Sequence, residues 1–201
     1  MSKIYSLIHT LHLYFGLYLS PFILVFSISV LLFNHNGFLN RINPVKTLPE
    51  IRTRLDSIPY NATDLGTAKA IIKKLGIKGE IDFIAKNARG ITFPVRVPGL
   101  KTLVEINTST KNVLITRQQE GSLRGMSYLH IMPGQHNAKI RGNSVFIKIW
   151  RKIADAVVYL LLFITTSGII LWYILKSERK PGVYAAILGV LIFTGFLFLI
   201  F

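Results

Sequence analysis

Residues 13–33 read LYFGLYLSPFILVFSISVLLF, 21 consecutive positions without a charge. A helix needs about 20 apolar residues to cross a hydrocarbon core ~30 Å thick, so this stretch is long enough to span a bilayer. Two more segments behave alike. Residues 153–175, IADAVVYLLLFITTSGIILWYIL, carry one charge, Asp155, near their start, and residues 182–201, GVYAAILGVLIFTGFLFLIF, carry none. Trp150 and Trp172 stand near the two ends of the second segment, where amphipathic rings favour the membrane interface. The reading is three transmembrane helices: 13–33, 153–175 and 182–201. The first is read as a retained anchor, because its apolar run exceeds a signal-peptide core and no small-residue cleavage site follows it.

Those spans explain a composition that otherwise conflicts with itself. The 201 residues are 51% hydrophobic with mean hydropathy +0.46, yet they hold 24 Lys+Arg against 9 Asp+Glu. Most of the positive charge falls between spans one and two, where residues 34–150 contain 18 Lys+Arg and 7 Asp+Glu. The chain has no cysteine, which excludes disulfides, thiolate metal sites, iron–sulfur clusters and covalently attached haem.

The connecting segment divides by pattern. Pro44, Pro49 and Pro59 mark 34–60 as an irregular linker. Residues 61–120 then read as one helix and about four strands. Leu65, Ala68, Ile71, Ile72 and Leu75 recur at helical spacing, with cap-type residues before them and Gly76 after. GEIDFIAKN, GITFPVRV, TLVEIN and NVLITRQQ follow with β-rich composition, and residues 106–113 form a hairpin turn. The expected architecture is therefore an α-helical integral membrane protein with a small α+β domain between helices one and two. Residues 1–12 form an N-terminal segment, 121–152 a His-containing connector, and 176–181 a short loop.

That loop, KSERKP, has three basic residues, which points to the cytoplasmic side and the α+β domain outside, while Arg41, Lys46, Lys148, Arg151 and Lys152 at the other span ends point the opposite way, so charge alone leaves the two orientations close to even. The basic residues of the domain are dispersed and come with neither an aromatic platform nor a basic recognition helix, so nucleic acid is not the expected partner. The expected partners are the bilayer itself, an envelope protein, or a second copy of the chain.

All five histidines fall near a span boundary: His9 and His12, His35, His130 and His136. Imidazole ligates haem iron, zinc and copper. Haem needs two axial ligands approaching from opposite sides, which His35 with His130 or His136 can supply from different elements. The same three residues can hold a zinc or copper ion, and interfacial His bonded to headgroups or backbone is the plain alternative. His12 and His35, 23 residues apart, would be separated by about 35 Å along one helix. Asp155 is a functional candidate by its position at a membrane edge, with Arg151 and Lys152 as structural partners.

His9-Thr-Leu-His12-Leu-Tyr-Phe-Gly16, Phe33-Asn-His35, Leu129-His130, Arg151-Lys-Ile-Ala-Asp155 and Thr166-Ser-Gly168-Ile-Ile-Leu171-Trp172 occur in an order that resembles the PepSY-associated transmembrane family. The helix and the 104–114 hairpin between them are similar to one PepSY module. The resemblance implies a bacterial inner-membrane protein, N-terminus in the cytoplasm and PepSY-like domain in the periplasm. Larger members of that family look like haem b ferric-siderophore reductases, and the positions here that match their ligands are His12, His35 and His130. This chain has three spans rather than four or more and lacks a flavin or nicotinamide module. The implied role is a haem b electron-transfer component of a redox system for ferric iron or siderophores. The other reading is a non-enzymatic, membrane-anchored module that contacts a protease or transporter.

Overall fold

The computed structural model describes residues 3–131, 139–140, 142–175 and 178–200. Three helices are long and apolar enough to cross a membrane: α1 (Lys3–Asn34), α5 (Val145–Ile174) and α6 (Arg179–Ile200). Each begins before the expected apolar span, since polar and charged residues ahead of it continue the helix. The chain divides into two compact units, one of Met1–Phe22 with Ala154–Phe201 and one of Ile23–Ile153.

In the first unit, small residues let helices approach. A Cβ on Gly16 would lie 3.9 Å from Ile164 Cδ1, an ordinary packing distance. Phe15 meets Phe163 edge to face, with centroids 5.4 Å apart. Gly182 is required where the chain turns into α6, because a Cβ there would sit 1.9 Å from the Trp172 indole nitrogen. That nitrogen donates to the Glu178 carbonyl at 2.9 Å. No residue of α6 is buried, and its surface is almost wholly Leu, Ile, Val and Phe. A helix apolar on all sides suits a hydrocarbon solvent.

The second unit holds the α+β fold. After α2 (Asn36–Ile42) come β1 (Lys46–Thr47), β2 (Ile51–Arg54), α3 (Asp64–Lys74), β3 (Glu80–Ile81), β4 (Ala85–Asn87), β5 (Gly90–Val97), β6 (Leu100–Asn107), β7 (Asn112–Gln119) and α4 (Gly121–Ile131). The strands form one antiparallel sheet in the order β1-β7-β6-β5-β3, with β2 also on β7 and β4 also on β5. Residues 34–60, expected to be irregular, thus contain a short helix and two strands, and the three prolines fall between these elements. The 121–152 connector contains α4, which has too few apolar positions to show a clear helical stripe.

Period-two alternation sorts the sheet into two faces. Ile91, Phe93 and Val95 of β5, Val104 and Ile106 of β6, and Val113 and Ile115 of β7 are buried against Ala68, Ile71 and Ile72 of α3. Helix α3 starts where Thr63 Oγ1 accepts from Gly66 N, and it ends at Gly76, whose φ of 66° suits a residue without Cβ.

The opposite face is covered at one end only. There the β5–β6 turn, Pro98-Gly99, presses on α4: Glu120 N donates to Gly99 O at 2.7 Å, and a Cβ on Gly125 would lie 2.9 Å from Gly99 N. Gly99 adopts φ 83°, the left-handed position of a tight turn. Helix α4 is tied in turn to α1 and α2. Ser29 donates to Met126 O at 3.0 Å, and Arg124 reaches Asn43 O, Asn36 Oδ1 and Asn40 Oδ1.

Candidate functional site

The histidines come first because they carried the cofactor expectation. His12 lies in α1, and its Nδ1 is 2.8 Å from Ser167 Oγ on α5. A Cβ added to Gly168 would stand 3.4 Å from the His12 ring, so the pair Ser167-Gly168 forms a close-fitting seat for this imidazole. His9, one turn earlier, is exposed and stacks on Tyr5 with centroids 6.1 Å apart. His35 stands between α1 and α2, exposed, with Nδ1 3.0 Å from Leu31 O in the last turn of α1. The side chain of His130 and the whole of His136 lie outside the described residues. Among the described residues no group of three His, Cys, Asp or Glu gathers as a metal site. Asp155 is exposed and forms no ion pair with Arg151 or Lys152 among the described residues.

Chemistry that the motifs did not flag sits on the second sheet face. Glu80 is fully buried, and its carboxylate accepts from the backbone N–H groups of Gly142, Asn143 and Ser144, just before α5. Through these charge-assisted bonds the buried carboxylate holds the turn that leads into α5. Asn143 completes the join by bonding both Ile81 N and Ile81 O, in the manner of an adjacent strand.

Beside Glu80 in the register stands Arg96. Its guanidinium donates from Nη2 to both Glu120 oxygens at 2.9 and 3.0 Å, lies over the Tyr128 ring at 4.5 Å, and faces Asp82 at 3.8 Å. Tyr128 donates to Asp82 at 3.4 Å, a long bond. Burial pushes the Asp82 carboxyl up to about 6, against the opposing pull of Arg96. Burial also raises the Tyr128 hydroxyl above its ordinary value, with Asp82 adding to the shift. Arg96, Glu120, Arg124 and Tyr128 border a cavity of about 130 Å³ under Leu32, Phe33 and Leu39. Every charged group around it already has a protein partner, which marks the cluster as a fastening rather than a receptor.

The other end of the same face is open. Here Arg52, Arg54 and Arg89 surround a groove of about 730 Å³ floored by Thr92, Glu105 and Leu114. Register aligns Arg52 with Leu114, Glu105 and Thr92 across four strands, and Arg54 with Asn112. The polar rim is biased toward donors. Asn87 Oδ1 accepts from Arg89 N and Gly90 N, and Asn107 Oδ1 accepts from Ser109 N and Thr110 N. Both amides therefore have only their NH2 groups to offer a ligand. Arg54 and Arg89 have no carboxylate partner among the described residues, and Arg52 has Glu50 at an exposed 3.4 Å.

Compared with known proteins, the chain finds no match among family models, curated proteins or solved structures. The site therefore has to be read from its own geometry.

Proposed function

We propose that this protein is a membrane-anchored interaction module, in which three apolar helices hold a small α+β domain whose open sheet face meets another protein. The observation that carries this reading is the open groove that gathers Arg52, Arg54 and Arg89 on one sheet face, in contrast with Arg96 at the other end, which is held by Glu120 and Asp82. Its volume falls within the range of about 300–1,000 Å³ typical of ligand sites. The PepSY-type resemblance supports an orientation with the N-terminus in the cytoplasm and the domain in the periplasm of a bacterial inner membrane, and the basic residues Lys176, Arg179 and Lys180 between the second and third apolar segments agree with it. A photo-crosslinker at Thr92 on the open face, with a control at Lys73 on α3, tests the reading in the full chain in its own membrane. A discrete adduct from Thr92 alone is the expected result. No adduct, or the same adducts from both positions, contradicts it.

A second reading keeps the haem b electron-transfer role, directed at ferric iron or a siderophore. It is favoured by one observation: the His12 Nδ1 contact with Ser167 leaves Nε2 as the ligating atom, which is how protein ligands to metals are usually oriented. Another copy's His12 would have to join it in holding the haem, or His35 with His130 or His136 would hold it instead. Haem would supply one-electron transfer, while Ser167 fixes the His12 ring. A reduced-minus-oxidised spectrum after haem-replete expression decides it: a b-type band lost in His12→Ala or in His35→Ala/His130→Ala supports this role, and no band removes it.

A further inference from the structure

We propose that the open end of the sheet takes an acidic segment of a partner protein as an added strand on β2, with alternate carboxylates held by Arg52 and Arg54. The inference rests on the interaction reading above and specifies its partner. Three features combine. Strand β2 pairs with β7 on one side only, and all four of its residues are exposed, so its outer edge offers unpaired backbone groups. Arg52 and Arg54 are two residues apart on one strand, so they project on the same face about 7 Å apart. An extended chain places its own alternate side chains at that same spacing, so glutamates at i and i+2 match the two guanidiniums. Finally, Arg54 has no carboxylate partner among the described residues and Arg52 has only Glu50 at an exposed 3.4 Å, so both guanidiniums are open to an anionic ligand.

Other anionic occupants fit less well. The groove lining contains no aromatic ring on which a base could stack. Glu105 stands in the floor of the groove, in line with Arg52, and would repel a polymer charged at every unit. A strand on the outer edge of β2 avoids that repulsion, because β2 and β7 lie between it and Glu105. A lipid surface is disfavoured because, within this unit, the apolar half of α1 meets α4, at the opposite end of the strands from Arg54 and Asn112. Main-chain pairing would then give affinity and the arginines would give specificity, as in other strand-addition complexes.

The test uses the full chain in nanodiscs of neutral phosphatidylcholine, titrated into a labelled peptide of sequence Thr-Glu-Val-Glu-Val-Glu-Thr and followed by anisotropy at low salt. Saturable binding is expected, weakened more than about tenfold in Arg52→Glu/Arg54→Glu. Lys69→Glu/Lys73→Glu, the same charge change on exposed α3 positions, should shift affinity by less than about twofold. A peptide N-methylated at alternate backbone positions should bind at least about tenfold more weakly, since it cannot pair along β2. Equal losses in the two double variants, or unchanged binding of the methylated peptide, overturn the proposal. So does competition in which polyphosphate or phosphatidylglycerol vesicles bind through Arg52 and Arg54 while the peptide does not. If the peptide fails but the Thr92 crosslink persists, the acidic strand is wrong and the interaction module stands. If the crosslink is absent as well, both fall.

Discussion

The two ends of one sheet face put arginine to opposite uses. At the α4 end, Arg96 is largely buried, donates twice to Glu120, covers Tyr128 and faces Asp82. At the far end, Arg52, Arg54 and Arg89 surround an open groove with few acceptors. The side chains are identical and the strands continuous, so residue type does not separate the roles. Partners do: a buried guanidinium must be matched or the fold suffers, whereas an exposed one can remain available at little cost.

That contrast is open to direct attack, starting where the effect should be greatest. Arg96→Ala strands Glu120 and Asp82 without their cation, and breaking a buried pair typically costs about 3–5 kcal/mol. Thermal unfolding of the purified protein should show the loss, and a change under about 1 kcal/mol would mean the cluster is incidental. Glu80→Gln keeps the shape but removes the charge that three N–H groups share. With hydrogen bonds to charged groups contributing about 1.5–3 kcal/mol each, a loss of about 2–3 kcal/mol is expected by the same measurement.

Asp82 gives a pH signature. Its folded value, about 6, lies above its ordinary 3.8, so the folded protein holds a proton that the unfolded chain releases earlier. Stability therefore falls as pH rises from about 4 to about 6, by roughly 3 kcal/mol from this group, and does not recover above that window. Arg96, Tyr128, Glu80 and Lys101 all act on the carboxyl and set the size of the effect. Asp82→Asn should flatten that slope, as read by denaturant midpoints across the window; an unchanged slope assigns it to other groups. The smallest effect belongs to the open end, where Arg54→Ala should alter stability by less than about 0.5 kcal/mol.

Much of this architecture was legible in the residues. Uninterrupted apolar runs identified the three helices, because the bilayer criterion depends only on length and the absence of charge. Alternation at Ile91, Phe93 and Val95 announced a strand with one buried face, and Ala68, Ile71 and Ile72 announced the helix that covers it. Helix α4 was not legible: Gly121 and Gly125 lower its helix propensity, yet Gly125 is there to let the β5–β6 turn approach. Strand β2 was hidden because Ile51-Arg-Thr-Arg54 is exposed on both faces and its pairing is a matter of long-range register.

The site was harder to read than the fold. Histidine attracted attention as the residue most versatile in chemistry, but of the described ones His35 lies against Leu31 O at the end of α1 and His12 meets Ser167. Arg52, Arg54 and Arg89 looked like dispersed surface charge because they are far apart in sequence, and only the antiparallel pairings gather them. A basic residue two positions from another on an edge strand was the available signal, weak until the strand was known.

The central claim is that the arginines at the open end recognise a ligand and do not hold the fold. Thermal midpoint and acidic-peptide affinity measured on the same Arg52→Glu/Arg54→Glu preparation test it together. The account predicts a midpoint within about 1 °C of the parent and affinity reduced more than about tenfold. A midpoint that falls in step with the affinity, or an affinity that does not change, would contradict it.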